Sequence, residues 1–172
     1  MPSLRVNVAG NRRLAESIHA LEDKIDRKIS LLSKILLSDT GVLEDKLHII
    51  LDTAPSIQVI EQTYSKQLIF RRSYVIDSIS KRKLVYAQSK IHVDCLPMAI
   101  IAQIRNKKAG LGRILIDSRL EIHKEIITIG YDYRKRGLFR SYNIYNKKRA
   151  VIEVREVLLI TDNELCNMTI SG

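Results

Sequence analysis

The chain has 172 residues, of which 45% are hydrophobic and 28% are charged, and its formal net charge at pH 7 is +10. This length and composition predict one domain with a buried core and exclude extensive disorder. The longest apolar runs are too short to cross a bilayer and no apolar signal segment follows Met1, so we expect a cytoplasmic protein.

The N-terminal third has the spacing of helices. Apolar residues recur every three or four positions over 12–37, which predicts one long helix with Asn11 as its N-cap, and turn residues at 38–41 end it. A second helix is predicted over 42–51 and a short third helix over 56–63.

After residue 64 the apolar residues alternate with a period of two, which is typical of strands. One strand begins at residue 68, and a helix over 96–104 crosses between later strands. Four further strands are predicted at 84–93, 119–133, 139–146 and 149–161. This order predicts an α+β fold with a mainly antiparallel sheet, N-terminal helices and one crossing helix. We expect a single domain over 1–172, mostly helical in 1–63 and mostly sheet in 64–162.

Cofactor and metal motifs are missing from the sequence. Cys95, Cys166 and the four histidines do not have metal-ligand spacing, and no nucleophile elbow, Walker loop or Rossmann fingerprint occurs. We therefore predict neither a metal site nor a bound cofactor, and we interpret the cysteines as buried thiols.

The basic charge has three interpretations. Most lysine and arginine clusters fall in predicted turns, where charged side chains normally meet solvent. A positive field would also attract small anions, and it is compatible with nucleic acid. Nucleic acid is the least favoured partner, because the only interleaving of basic and aromatic residues, at 131–136, fits a strand end followed by a charged turn.

Arg72 is the first candidate for a ligand-binding side chain. It shares a strand face with Leu68, Phe70 and Tyr74, and an arginine on a buried face needs an anionic partner. That partner is either a ligand carboxylate or a carboxylate of the protein. A further interpretation places Arg72 on the solvent face and Arg71 inside.

Glu156 is the second candidate. It lies between Val154 and Leu158 on an otherwise apolar strand face, where desolvation favours the protonated carboxyl group. Such a group suits acid–base chemistry or a hydrogen bond to a hydroxyl. An internal salt bridge to an arginine is the competing interpretation.

The third candidate is the turn at residues 110–113. Gly110 and Gly112 permit a ligand to approach the backbone N–H of Leu111, and Arg113 follows directly. A plain surface turn would have the same residues, so this motif is weak when it stands alone.

The order of these motifs resembles the chorismate lyase family (chorismate–pyruvate lyase, 4-hydroxybenzoate synthase), including its archaeal and plastid relatives. The arginine strand is followed by a strand at 84–91, a helix, the Leu-Gly-Arg turn at 111–113, a long strand at 119–130 and the closing strand with Glu156. The resemblance covers residues 56–160.

This resemblance implies a cofactor-free elimination of pyruvate from chorismate that leaves 4-hydroxybenzoate. Arg72 would hold the ring carboxylate together with the Leu111 amide, Glu156 would contact the 4-oxygen, and Ile57 would supply a fourth contact. Arg72 and Glu156 would be the catalytic residues. Gly110, Gly112 and Arg113 would support the turn.

The chemistry of the residues agrees with such a substrate. Chorismate is a dianion, which suits a basic chain and a buried arginine, and an apolar site would let Glu156 donate a hydrogen bond to the leaving oxygen. We expect a small anionic substrate, chorismate or a related carboxylated ring, and no membrane partner. The alternative is a non-catalytic small-acid-binding module related to repressor effector-binding domains, which share this fold. The oligomeric state stays open.

Overall fold

A computed structural model describes residues 3–8, 13–52 and 54–160. These residues form seven strands and five α-helices, which are β1 (Leu4–Asn7), α1 (Leu14–Ile25), α2 (Leu31–Ser38), α3 (Leu43–Leu51), β2 (Pro55–Tyr64), β3 (Leu68–Asp77), β4 (Lys83–His92), α4 (Met98–Arg105), α5 (Leu111–Asp117), β5 (Ile122–Asp132), β6 (Gly137–Asn146) and β7 (Arg149–Leu158). The predicted α+β class with an antiparallel sheet is confirmed. None of the described helices is both long and apolar enough to span a membrane.

The seven strands form one sheet in the order β1-β5-β6-β7-β4-β3-β2, and all neighbours are antiparallel. Because side chains alternate across a sheet, one face collects the apolar positions. Four buried isoleucines lie side by side across it: Ile69, Ile91, Ile152 and Ile144. Buried side chains from all five helices join the same core cluster, so the helices cover this inner face.

The predicted single helix over 12–37 is wrong, because the chain breaks between α1 and α2. Asp26 ends α1 in the left-handed backbone region, with φ of 49°. Ser30 then starts α2 as its N-cap, and its hydroxyl accepts a hydrogen bond from the Ser33 N–H at 3.2 Å. The predicted cap Asn11 lies outside the described residues.

One carboxylate bridges this break. The Glu22 Oε1 accepts a hydrogen bond from the Ile29 N–H at 2.9 Å, and the carboxylate forms ion pairs with Lys34 and Lys28 at 2.8 and 3.2 Å. The hydrogen bond from Lys34, followed by that from Ile29, lowers the pKa of Glu22 from 4.5 to about 2.

We expect Glu22→Gln to lower the melting temperature at neutral pH and to flatten its dependence on acid. A carboxyl group whose pKa is lower in the folded state stabilises the fold above its ordinary pKa, and this stabilisation is lost as the pH falls from 4.5 towards about 2. Thermal melts across that range measure it. Glu16→Gln, an exposed change on the same helix, is the control. Equal pH slopes for wild type and Glu22→Gln would contradict the assignment.

The predicted helix over 56–63 is also wrong, because this segment forms the edge strand β2. Its β-branched residues, among them Ile57 and Val59, favour a strand, and a hairpin joins it to β3. The Ser65 N–H closes that hairpin by donating to the Leu68 carbonyl at 2.8 Å. The strand β1 was not predicted, and two helices, α4 and α5, rather than one connect β4 to β5.

Candidate active site

A cleft lies between the inner face of the sheet and the helices α3 and α5. The side chains at its floor are small, because Ser73, Ala87 and Ser89 occupy neighbouring positions on β3 and β4. The remaining lining residues are Leu43, Glu44, Ile57, Arg71, Val75, Gly110, Leu111, Gly112, Lys124, Tyr142, Ile144, Val154 and Glu156. The small floor therefore leaves space that is surrounded by ionisable side chains.

Arg71 enters this cleft from β3 and is only 2% exposed. Its Nη2 donates to the Ala109 carbonyl at 2.7 Å, whereas its buried Nε and Nη1 have no hydrogen-bond partner among the described residues. Burial lowers the pKa of Arg71, and the nearby Glu44 charge opposes that change. A buried cation with two donors unpaired among the described residues could bind an anion, because such groups are costly unless they are paired.

The prediction that Arg72 faces the pocket is wrong. Its side chain is 52% exposed on the opposite face of the sheet, and its Nη1 forms an ion pair with Glu61 Oε2 at 2.6 Å. The apolar residues next to it caused the error, since Phe70 is 47% exposed and lies on this outer face. The interpretation with Arg71 inside and Arg72 in solvent is confirmed.

Glu156 lies in the cleft wall, and its surroundings differ from the expected apolar ones. Its two carboxylate oxygens accept hydrogen bonds from Arg140 Nε and from the Tyr142 hydroxyl, both at 2.8 Å. Arg140 also donates to the carbonyls of Leu36 and Asp39, which ties the end of α2 to the sheet. The salt bridge left open by the sequence is therefore present. Both oxygens of Glu156 already accept hydrogen bonds, so its surroundings suit an acceptor rather than the expected donor.

Tyr142 remains a hydrogen-bond donor in this network. Burial raises the pKa of Tyr142 well above its ordinary value, and the negative charge of Glu156 raises it further. Its hydroxyl therefore keeps its proton and orients one oxygen of Glu156. Arg140 orients the other oxygen, so the carboxylate is fixed at the edge of the cleft.

The glycines of the turn at 110–113 matter because they lack a side chain, and not because they permit an unusual backbone conformation. Gly110 is the N-cap of α5 with φ of −67° and ψ of 149°, a conformation that any residue can adopt. A Cβ atom at Gly110 would overlap the Oε1 of Glu44, so glycine leaves room for that carboxyl group where it now lies. Leu111 and Gly112 line the cleft at the start of α5, as does Ile57 from β2. Arg113 instead points outward and pairs with Asp45.

Sequence reasoning missed Glu44 and Lys124. Burial raises the pKa of the Glu44 carboxyl group and lowers that of the Lys124 ammonium group. Glu44 lies in the first turn of α3, where the helix dipole already accounts for an acidic residue, so its sequence position did not indicate a binding role. The sequence could have indicated Lys124, because it lies between Ile122 and Ile126 on the same, inner face of β5.

Among the described residues, no group of His, Cys, Asp and Glu side chains is arranged to hold a metal ion. The cleft instead combines the cations Arg71 and Lys124 with the carboxyl groups of Glu44 and Glu156. This set can bind an acid, accept a hydrogen bond from a hydroxyl and stabilise a developing negative charge.

Comparison with known proteins gives consistent matches to one family. The model of the family described as Rv2949c-like chorismate pyruvate-lyase matches residues 42–164, which include every residue that lines the cleft. The chorismate pyruvate-lyase of Mycobacterium tuberculosis (strain H37Rv) is 25% identical over 169 residues, covering 81% of this chain and 85% of the relative. That of Mycobacterium leprae is 27% identical over 163 residues, covering 79% and 76%.

Proposed function

Because the chain belongs to the Rv2949c-like chorismate pyruvate-lyase family, we propose that it eliminates pyruvate from chorismate and releases 4-hydroxybenzoate. One observation carries the proposal: the buried guanidinium of Arg71 has two donor nitrogens without partners among the described residues, and it shares a cleft with Glu156, which Arg140 and Tyr142 hold in place. The strands that carry them are two strand spacings apart, or roughly 10 Å across the sheet. A carboxylated ring fits between such groups, with its acid at one end and its hydroxyl at the other.

In this proposal Arg71, and not Arg72, takes the ring carboxylate. Its Nε and Nη1 lack partners among the described residues, and either would donate a charge-assisted hydrogen bond to that carboxylate. The Leu111 N–H at the start of α5 would supply a further hydrogen bond, and Ile57 would pack against the ring. Glu156 would accept a hydrogen bond from the 4-hydroxyl, because Arg140 and Tyr142 already hold both of its oxygens as acceptors.

The elimination needs no external reactant. The bond from C3 of the ring to the bridging oxygen breaks, the hydrogen on C4 is lost, and the methylene carbon of the side chain gains a hydrogen. The ring becomes aromatic, and the side chain becomes pyruvate. The protein would contribute by holding the side chain in a reactive conformation and by excluding water.

The test is to mix the purified protein with chorismate and to follow 4-hydroxybenzoate by ultraviolet absorbance and pyruvate by a coupled assay. Equal amounts of the two products are expected. No pyruvate across a broad pH range would overturn the proposal. Thermal stabilisation by chorismate without turnover would indicate the alternative, a small-acid-binding module.

Glu44 provides a separate prediction about affinity. We expect Glu44→Gln to bind 4-hydroxybenzoate several-fold more tightly at pH 7, because it removes a negative charge near Arg71. In the wild type the affinity should rise as the pH falls, since the raised pKa lets Glu44 take up a proton under mildly acidic conditions. Calorimetric titration at several pH values measures both effects.

The same substitution should also stabilise the protein. A carboxyl group whose pKa is raised on folding destabilises the fold as the pH rises from its ordinary value through the raised one. Asp45→Gln, at the exposed neighbouring position, is the control. Weaker binding of 4-hydroxybenzoate by Glu44→Gln would show that the carboxyl group contacts the ligand favourably.

A further inference from the structure

Resting on the proposed function, we propose that Lys124 is the second substrate-binding cation. Its ammonium group would contact the enolpyruvyl side chain of chorismate and stabilise the negative charge that develops on the bridging oxygen as the bond to C3 breaks. This assigns to Lys124 the donor role that the sequence suggested for Glu156.

The first support is the placement of Lys124. Its Nζ donates to the carbonyl of Gly41, between α2 and α3, and lies 5.3 Å from the centre of the Tyr142 ring. An ammonium group has three N–H donors, so this contact leaves two for a ligand. Among the described residues no carboxylate forms an ion pair with it. Lys124 is therefore fixed at the cleft wall without being neutralised.

The second support is the count of charges. Chorismate brings two carboxylates, and Arg71 suits one of them. Arg140 is committed to Glu156, and Arg113 is exposed and paired. Within the described lining of the cleft, Lys124 is the remaining cation for the side-chain half of the substrate.

The third support is that Glu156 is placed as an acceptor. One of its oxygens already accepts a hydrogen bond from Arg140 and the other from Tyr142. The electron pair of the breaking bond goes to the bridging oxygen, which needs a hydrogen-bond donor. Lys124 supplies that donor as a hydrogen bond, so the step balances without a net proton from the protein.

Several charged or titratable groups face Lys124 from the elements around it. They are Glu156 on β7, Arg140 and Tyr142 on β6, Asp39 after α2 and Glu44 on α3. Burial lowers the pKa of Lys124, and the charge of Glu156 opposes this change. Turnover should therefore decrease as the pH rises, and this decrease should begin at a lower pH than the ordinary pKa of lysine would give. The reason is that a neutral amine stabilises the leaving oxygen less.

The experiment compares Lys124→Met and Lys124→Arg with the wild type. The matched control is Lys90→Met, which removes a lysine paired with Glu153 on the outer face. Two quantities are measured, the kcat for chorismate against pH and the Kd of 4-hydroxybenzoate, which lacks the enolpyruvyl group. We expect Lys124→Met to lose at least about 100-fold in kcat, as when one oxyanion donor is removed. Its Kd for 4-hydroxybenzoate should stay within about threefold, and Lys124→Arg should lose the alkaline decline.

Two results would overturn the assignment. One is a Lys124→Met variant that keeps its kcat within tenfold of the wild type. The other is a parallel loss of turnover and of 4-hydroxybenzoate binding, which would show a structural role. If the wild type does not turn chorismate over, the proposed function fails. The role of Lys124 is then tested by measuring ligand binding alone. In that case Lys124→Met should weaken the binding of chorismate but not that of 4-hydroxybenzoate, and equal effects would reject the proposal.

Discussion

Replacing Arg71 by methionine is expected to reduce kcat/KM for chorismate by about a thousandfold without destabilising the fold. Breaking a buried charge pair costs roughly 3–5 kcal/mol, which corresponds to about 10²–10⁴ in affinity or rate. The ligand-free protein gains little from the charge, because Nε and Nη1 of Arg71 are buried and have no partner in the part of the chain that the structure describes. Folding lowers the pKa of Arg71, so removal of the guanidinium should leave the free energy of unfolding unchanged or higher.

The neighbouring arginine provides the matched control. Arg72→Met removes an exposed ion pair with Glu61, and exposed pairs contribute about 0–1 kcal/mol. We expect its kcat/KM to stay within about twofold of the wild type. Steady-state kinetics and urea unfolding of both variants measure the contrast. Equal losses in the two variants, or full activity of Arg71→Met, would contradict the placement of the anion site.

Glu156→Gln is expected to reduce kcat by about 10²–10³ with a small effect on the Kd of 4-hydroxybenzoate. The amide oxygen still accepts a hydrogen bond, but the negative charge that polarises the 4-hydroxyl is gone. Glutamine is more informative than alanine here. Both substitutions remove the counterion of the buried Arg140, but Glu156→Ala also removes the acceptor of its Nε and would destabilise the fold more, by roughly 3–5 kcal/mol.

The control for this variant lies three residues earlier on the same strand. Glu153 is on the outer face, where it pairs with Lys90 and His92, so Glu153→Gln should leave kcat unchanged. Single-turnover kinetics on folded, purified variants separate chemistry from product release. A kcat for Glu156→Gln within tenfold of the wild type would remove Glu156 from the reaction.

The α+β class and most strands could be predicted because the alternation after residue 64 is strong. The choice between the two arginines could not be made, because alternation does not say which face is covered. Phe70 and Tyr74 made the outer face look buried, whereas the inner face carries Ser73 beside Arg71. The helices pack on the inner face, and that information is absent from local sequence.

The partner of Glu156 was equally out of reach. Arg140 meets it only through the register of β6 and β7, in which these two residues are directly opposite each other. The break between α1 and α2 depends in the same way on Glu22 reaching the Ile29 N–H. Neither contact follows from the periodicity of apolar residues, which is the pattern that the predictions used.

The cleft is built from segments that are distant along the chain, so it is completed only late during synthesis. Its buried Arg71 is on β3 and its Glu156 on β7, and β7 enters the sheet between β4 and β6. Pairings between segments so distant along a chain form slowly, because loop closure precedes the contacts that reward it. A nascent chain in which β3 has been synthesised but β7 has not therefore contains Arg71 without Glu156. Activity would appear in one late step, when the last strand completes the sheet.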